Sequence, residues 1–294
     1  MAVDRVIEVI IVNFNGGELL TECVRSVLDS TLPVTVYVVD NASSDNSLLI
    51  LQQVIDNDQR VRIIKNAKNL GFARATNLAL PHITGKYILF LNPDCLIRPD
   101  TLANFVKIMD EYPQAGMAGG LVRNPNGSEQ AGCRRSVPTP WRTMVRVFHL
   151  DKLFPNSPRF KSFVLTRQPL PSYPIEIEGI SGACMFVRRS ALQVVGPMDE
   201  TYFLHCEDLD WFMRFRAQHL SILFIPSIEV IHVKGVCSRN QPLKVLWYKH
   251  RGMVRFYRKF FRNRYPLLLW WCIILAVWIR FTALAIITLL RPDK

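Results

Sequence analysis

The chain has 294 residues, 49% of them hydrophobic and 20% charged, which is enough to bury one large core or two modest ones and excludes a disordered chain. Its seven cysteines are odd in number, scattered and without a C-x-x-C pair, which argues against a disulfide framework or a zinc cluster and suits a reducing cytosol. The net charge of +12 is localised: residues 1–233 carry 23 basic and 23 acidic side chains, whereas Lys234 to Arg264 holds ten Lys/Arg and no Asp/Glu.

The N-terminus opens with Asp4 and a short strand-like run, Val6 to Val12, interrupted by Glu8; this is no secretory signal, and the N-terminal domain is expected to stay inside the cell. VIEVIIVNFNG reads as a first strand and a Gly-containing turn, followed by a helical pattern from about Leu19 to Leu28. VTVYVVD, Val34 to Asp40, is a second strand, and NASSDNS offers helix N-cap residues before the apolar run from Leu48. A short strand at Val61 to Ile64 and a helix from about Ala73 to Leu80 follow. ILFLNPDC is an apolar run that stops on Asn-Pro-Asp, as a strand buried on both faces does, so this strand ends near Asn92. Strands alternating with helices predict an α/β fold with a mainly parallel sheet.

Between Pro125 and Pro174, where 8 of the 18 prolines lie, a long loop is expected, of the length that usually serves function or is disordered. Beyond it, GISGACMFVRR looks like another strand, Phe203 to Phe215 carries HCEDLDWFMRF into a helix, and SILFIPSIEVIH supplies apolar runs around Pro226. Leu267 to Leu290 is 24 residues with one charge, Arg280; as a helix it measures about 36 Å, against a hydrocarbon core of about 30 Å. Ten cations before such a stretch predict a cytoplasmic juxtamembrane segment drawn to anionic lipid, in preference to nucleic acid. A buried C-terminal helix is the bland alternative. Arg280 also admits a re-entrant or in-plane pair of shorter helices, so crossing and lying in the bilayer both stay open.

Asp40 and Asp94 both stand at the carboxyl ends of strands, where open α/β sheets hold ligands, although a single such Asp is more often a helix cap. Glu207 and Asp208 sit among Tyr202, Phe203 and Trp211, and partial burial would raise a carboxyl pKa toward that of a useful base. Asp210 reads instead as a solvated helix residue pairing with Arg214 at i, i+4. His232 closes an apolar run; with a carboxylate such as Asp94 in the same cleft it would complete a divalent-metal site.

VIIVNFNG, VVDNASSD, NLGFARATN, LFLNPD, GACMFVRR, FLHCEDLDWFMR and H-V-K-G-V-C-S, in this order over residues 6–239, together resemble the family 2 inverting glycosyltransferases of the GT-A fold, especially rhamnosyltransferase-like members that build bacterial cell-envelope polysaccharides. The resemblance implies that Asp40 binds the pyrimidine base of a nucleotide-sugar donor, with Val12, Asn13 and Asn15 lining the same pocket. Asn69, Gly71 and Asn77 match the family's N-x-G-F-x-x-x-x-N stretch near the donor. Asn92-Pro-Asp94 stands at the D-x-D motif, so Asp94, with His232, would hold Mg²⁺ or Mn²⁺ on the diphosphate. Asp208 would be the general base, with Glu207 beside it. Arg134, Arg135, Gly182, Ser238 and Arg239 are candidates for the acceptor or a diphosphate.

Three departures qualify the resemblance. Asn92 replaces the first Asp of D-x-D; His219 stands where relatives often have Gly; and no Arg-Trp dipeptide supplies the Q-x-x-R-W signature of processive synthases, so one sugar per encounter is expected. The implied organisation is a GT-A domain over 1–233 (donor half 1–124, acceptor and catalytic half 125–233), a basic juxtamembrane segment over 234–265 and a membrane-associated or transmembrane helix over 266–291. The implied function is transfer of one sugar, preferably L-rhamnose from dTDP-L-rhamnose, to a lipid-linked polyprenyl-diphosphate saccharide at the cytoplasmic face of the membrane, with a homo-oligomer admitted. A polyprenyl-phosphate glycosyltransferase using another nucleotide sugar and a non-catalytic membrane scaffold are the alternatives. A nucleotidyltransferase is disfavoured because VIIVNFNGG lacks its basic, Gly-rich phosphate loop.

Overall fold

A computed structural model describes residues 7–233 and 241–290. In chain order the elements are β1 (Ile7–Asn13), α1 (Leu19–Leu28), β2 (Val34–Asp40), α2 (Ser47–Ile55), β3 (Val61–Lys65), α3 (Phe72–Ala79), β4 (Tyr87–Leu91), β5 (Cys95–Ile97), α4 (Thr101–Glu111) and β6 (Ala115–Arg123). They continue with β7 (Arg134–Arg135), α5 (Pro140–Val147), α6 (Leu150–Leu153), β8 (Ile175–Glu176), β9 (Gly179–Ile180), β10 (Cys184–Arg188), α7 (Arg189–Val195), α8 (Glu207–Ala217), β11 (Ser221–His232), α9 (Pro242–Phe261) and α10 (Leu267–Leu290).

The strand order is β3-β2-β1-β4-β10-β6-β11-β5, with β8 on β11, and β7 and β9 form a separate pair. The N-terminal strands are parallel as expected: β1 pairs β2 and β4, and β2 pairs β3. Further along the sheet β6 and β11 also pair in parallel, and antiparallel strands join them. β10 runs antiparallel between β4 and β6, and β5 and β8 run antiparallel to β11, so the sheet is mixed. The physical reason is connectivity: β10 follows the long excursion after β6, which frees the chain from the crossover that makes consecutive strands parallel.

Tyr87 to Leu91 are all buried, because β4 is central, and Pro93 ends the run by removing a ladder donor. The two apolar runs around Pro226 are one strand whose register slips between Ile225 and Glu229, the irregularity that a proline without an N–H requires. The Pro-rich stretch is more ordered than a long loop: α5 and α6 lie in it, with Thr139 Oγ1 capping α5 by accepting from Arg142 N at 3.1 Å.

The C-terminus is an αα-hairpin. One stripe of α9 (His250, Gly252, Phe256, Tyr257, Phe261) is buried, Tyr257 Oη donates to Thr143 Oγ1 at 2.7 Å, and Phe203 stacks on Tyr248 with ring centroids 4.2 Å apart. Lys259 Nζ lies 2.9 Å from Asp199 and 2.7 Å from Asp210, tying α9 to α8. This corrects the reading of Asp210 as solvated. It pairs with Arg214 at 2.9 Å, but it is fully buried, because α9 covers that face of α8. Burial alone would raise the Asp199 carboxyl; hydrogen bonds from Thr201, Lys259 and Arg255 outweigh it and hold that carboxyl well below the usual range.

Candidate active site

The register of the parallel strands sets Asn13 beside Asp40, at the carboxyl ends of β1 and β2. Asn13 Nδ2 lies 2.8 Å from Asp40 Oδ1, 2.8 Å from Ser47 Oγ and 3.0 Å from Ser43 Oγ, while Asp40 Oδ2 accepts from Ser43 N at 3.3 Å. Asn15, in the left-handed region at φ 56°, accepts from Ser44 N at 2.8 Å and so closes the turn after Val12 against the turn after β2. Asn41 extends the platform: it donates to Asn69 Oδ1 at 2.9 Å and accepts from Leu70 N at 2.9 Å. Nothing local in the sequence singled out Asn41.

Gly71 has φ 84°, and a Cβ there would stand 2.4 Å from the Phe203 carbonyl, so only glycine lets this loop approach the segment that leads into α8. Asn77, near the other end of α3, has a different role. Its amide bonds both backbone atoms of Met198, at 2.9 and 3.1 Å, and reaches Glu200 Oε1 at 3.1 Å, so it clamps the 198–200 turn.

β5 pairs antiparallel with β11, Cys95 opposite His232, and this puts His232 Nε2 3.1 Å from Asp94 Oδ1, both residues buried. Gln130, absent from the sequence-based candidates, fixes the ring. Its Nε2 donates to Asn124 Oδ1 at 2.9 Å and to the His232 carbonyl at 3.3 Å, so the atom 2.7 Å from His232 Nδ1 is the acceptor Oε1. Nδ1 must then carry the proton. In the neutral ring Nε2 is left as a bare acceptor facing a carboxylate oxygen, and two acceptors at that distance need a proton or a cation between them. A divalent cation fits this donor set, and Asp94 and His232 would hold it through one carboxylate oxygen and one imidazole nitrogen. Cys95 lies within reach of the pair, its thiol raised well above the ordinary value by burial, first, and by the Asp94 charge, second.

Asp208 comes to this place from the other side. Asn92 N donates to Ala183 O at 2.9 Å, and on the next residue, Gly182, a Cβ would stand 2.9 Å from Asp208 Oδ2. The Asn92-Pro-Asp94 turn, the Gly182 turn and Asp208 therefore form one continuous wall. Asp208, in the first turn of α8, accepts from Leu209 N at 2.8 Å and ion-pairs with Arg135, whose guanidinium also lies over the Phe212 ring. Glu207 points inward. Burial, then the charge of Asp208, pushes its carboxyl from 4.5 up to about 8, and its Oε2 has no hydrogen-bond partner among the described residues. Two consecutive left-handed residues, His205 (φ 67°) and Cys206 (φ 71°), aim this pair, and α9 presses on them where Gly252 meets the His205 carbonyl.

Neighbouring residues on a strand point to opposite faces, which separates the two arginines of β7. Arg135 meets Asp208. Arg134 turns away, buried, onto Glu129 at 2.8 Å and the carbonyls of Gln168 and Pro169, and its donors are used there, not on a diphosphate. Ser238 and Arg239 lie outside the described residues.

Strand-end polar residues, a buried carboxylate–imidazole pair and a helix-borne carboxylate around one wall of a mixed sheet define a glycosyltransferase of the GT-A fold. Residues 8–196 match the domain described as Glycosyl transferase family 2, and the chain belongs to that family. It is 28% identical over 260 residues, 84% of this chain and 82% of the relative, to the N-acetylglucosaminyl-diphospho-decaprenol L-rhamnosyltransferase of Mycobacterium tuberculosis. It is 26% identical to the rhamnosyltransferase WbbL of Escherichia coli K12, over 67% of this chain and 72% of that one. Among solved structures it superposes on the mannosyltransferase PcManGT of Pyrobaculum calidifontis in complex with GDP-Man and Mn²⁺ (TM-score 0.59, 17% identity, 86% of this chain, 63% of that one). It also superposes on GalNAc-T7 with UDP, GalNAc and Mn²⁺ (TM-score 0.62, 15% identity, 86% of this chain). The chain spans about half of GalNAc-T7, at 48%.

Proposed function

We propose that this glycosyltransferase moves one L-rhamnose, with inversion, from dTDP-L-rhamnose to a polyprenyl-diphosphate saccharide at the cytoplasmic face of the membrane. The observation that carries the chemistry is the placing of Asp94–His232 and Asp208 on one wall, with the Asn13–Asp40 platform at the carboxyl end of the same parallel strands. The choice of sugar and acceptor is supported by the two rhamnosyltransferase relatives, one of them named for a diphospho-decaprenol substrate. We assign residues 1–124 to the donor half, 125–233 to the acceptor and catalytic half, and the remainder to membrane attachment.

Asp40 and the backbone of Val12 to Asn15 receive the pyrimidine, and the Asn69–Gly71 loop, held by Asn41, closes over the donor. Asp94 and His232 hold Mg²⁺ or Mn²⁺, which when bound offsets the negative charge that grows on the leaving diphosphate. Asp208 accepts the proton of the attacking acceptor hydroxyl; Arg135 must release its carboxylate for this, and is free to meet acceptor phosphate instead. The hydroxyl attacks in line with the leaving oxygen, so the anomeric centre inverts without a covalent enzyme intermediate. Glu207, its carboxyl raised by burial and then by the charge of Asp208, lies buried beside the base.

Incubation of the purified chain with radiolabelled dTDP-rhamnose, Mn²⁺ and membrane lipid extract tests this. Label should enter the lipid fraction, with a mass increment of one deoxyhexose. Incorporation from UDP- or GDP-sugars alone would reassign the donor, and no incorporation from any donor would leave the scaffold reading.

A further inference from the structure

The apolar helix α10 is continuous over its 24 residues and does not stand free. It runs antiparallel along α9: Arg262 lies over the Trp270 ring, Trp247 packs on Trp278 and Phe281, and Arg280 Nη1 donates to His250 Nε2 at 3.1 Å. His250 Nδ1 donates to Leu246 O at 2.8 Å, so its ring is the neutral acceptor Arg280 needs. Half-buried residues recur at helical spacing from Ile273 through Thr288, so one stripe of α10 is covered for almost its whole length. The opposite stripe, from Leu268 through Trp271, Leu275, Ile279 and Ile286 to Leu290, is exposed, Leu268 by 79%.

These contacts bear on how the chain meets a bilayer. A helix of this length is long enough to cross, at about 36 Å. Yet α9 is strapped along it and is held on its other side by Tyr257–Thr143, Phe203–Tyr248 and Lys259–Asp210. Were α10 to cross, α9 would be drawn in with Lys244, Arg251 and Arg258, all exposed and spread along its length, and charges are costly inside the hydrocarbon. The catalytic body would follow. With α10 lying flat, the same cations sit at headgroup level, where anionic lipid attracts them.

We infer that the α9–α10 hairpin is an in-plane anchor: α10 lies in one leaflet of an anionic bilayer with its Leu268–Leu290 stripe toward the acyl chains, α9 at the headgroups, and neither helix crosses. This rests on the membrane attachment proposed above and not on the sugar chemistry, so a chain that docks flat but transfers nothing separates the two.

Spin labels at Leu268→Cys, Leu275→Cys, Ile279→Cys, Ile286→Cys and Leu290→Cys, each in the full chain carrying Cys237→Ser and Cys272→Ser, test the inference in phosphatidylcholine/phosphatidylglycerol vesicles. The labelled positions are exposed, and the five other cysteines are buried. Accessibility to oxygen against a water-soluble nickel chelate should place all five at one shallow depth, about 5–10 Å below the phosphates. A depth profile that peaks at mid-bilayer near Ile279, with Leu290→Cys modified by an impermeant maleimide only from the far side, would overturn it. So would a chain that stays off the vesicles, or one whose exposed stripe is covered by a second copy instead.

Discussion

The proposed donor side and acceptor side of this cleft are held in different ways. Asn13, Asp40 and Asp94 stand at the ends of strands whose register the sheet fixes, and they are buried with their partners. Asp208 stands on a helix entered through two left-handed residues and pinned from outside by α9, more than forty residues further along the chain. A ladder places a side chain through many backbone bonds, whereas a helix start is placed by whatever packs on it. The donor side should therefore tolerate changes in the hairpin, and the acceptor side should not.

The largest expected effect lies on the donor side. Asp94→Ala should abolish the strengthening of nucleoside-diphosphate binding by Mn²⁺ in calorimetry; unchanged binding would remove Asp94 from the metal site. Gln130→Leu should weaken Mn²⁺ affinity about 10- to 100-fold, read by the free-ion resonance signal, because His232 loses the acceptor that sets its tautomer. Gln130→Glu should restore most of it, which a merely structural role for Gln130 would not.

On the acceptor side, Gly252→Val should cost about 1–3 kcal/mol in denaturant unfolding, because even a Cβ would stand 2.8 Å from the His205 carbonyl. Turnover should fall while donor affinity holds. Loss of both in proportion would mean the two sides are not separately held.

Glu207 gives a pH signature of the same region. Its carboxyl binds a proton more tightly in the folded chain than in the unfolded one, so its share of stability is intact below the unfolded value of 4.5 and is lost as pH rises toward about 8. Glu207→Gln should flatten that decline between pH 5 and about 8 in thermal unfolding, and an unchanged slope would assign the decline elsewhere. The smallest effect is expected at His219, which takes φ 57° just past the end of α8, a conformation that favours glycine. His219→Gly should stabilise the chain by up to about 1 kcal/mol, and destabilisation would show that the imidazole has a role of its own.

The same contrast explains what could be read from sequence. β1, β2 and β4 were visible because strands buried on both faces leave unbroken apolar runs, and Asp40 and Asp94 were visible because those runs end on them. Glu207 and Asp208 were found from their aromatic neighbours. Gln130 was not, since a glutamine in a Pro-rich stretch carries no local mark and acquires its role only when β5 meets β11. Arg134 and Arg135 look alike in sequence; only pairing with β9 sends one to Asp208 and the other to Glu129. Asp210 read as solvated because its cover arrives with Lys259 from a distant helix. The antiparallel β10 was hidden for a related reason, since strand direction depends on the path of the connection and not on the residues of the strand.

The most direct test of the sugar-transfer account is single-turnover rhamnose transfer by Asp208→Asn, with donor binding measured in parallel. The substitution keeps the shape and removes the base, so transfer should fall by about 10²–10⁴ while donor affinity is unchanged. Transfer at the undiminished rate would contradict the account, because Asp208 is the carboxylate to which it assigns the proton.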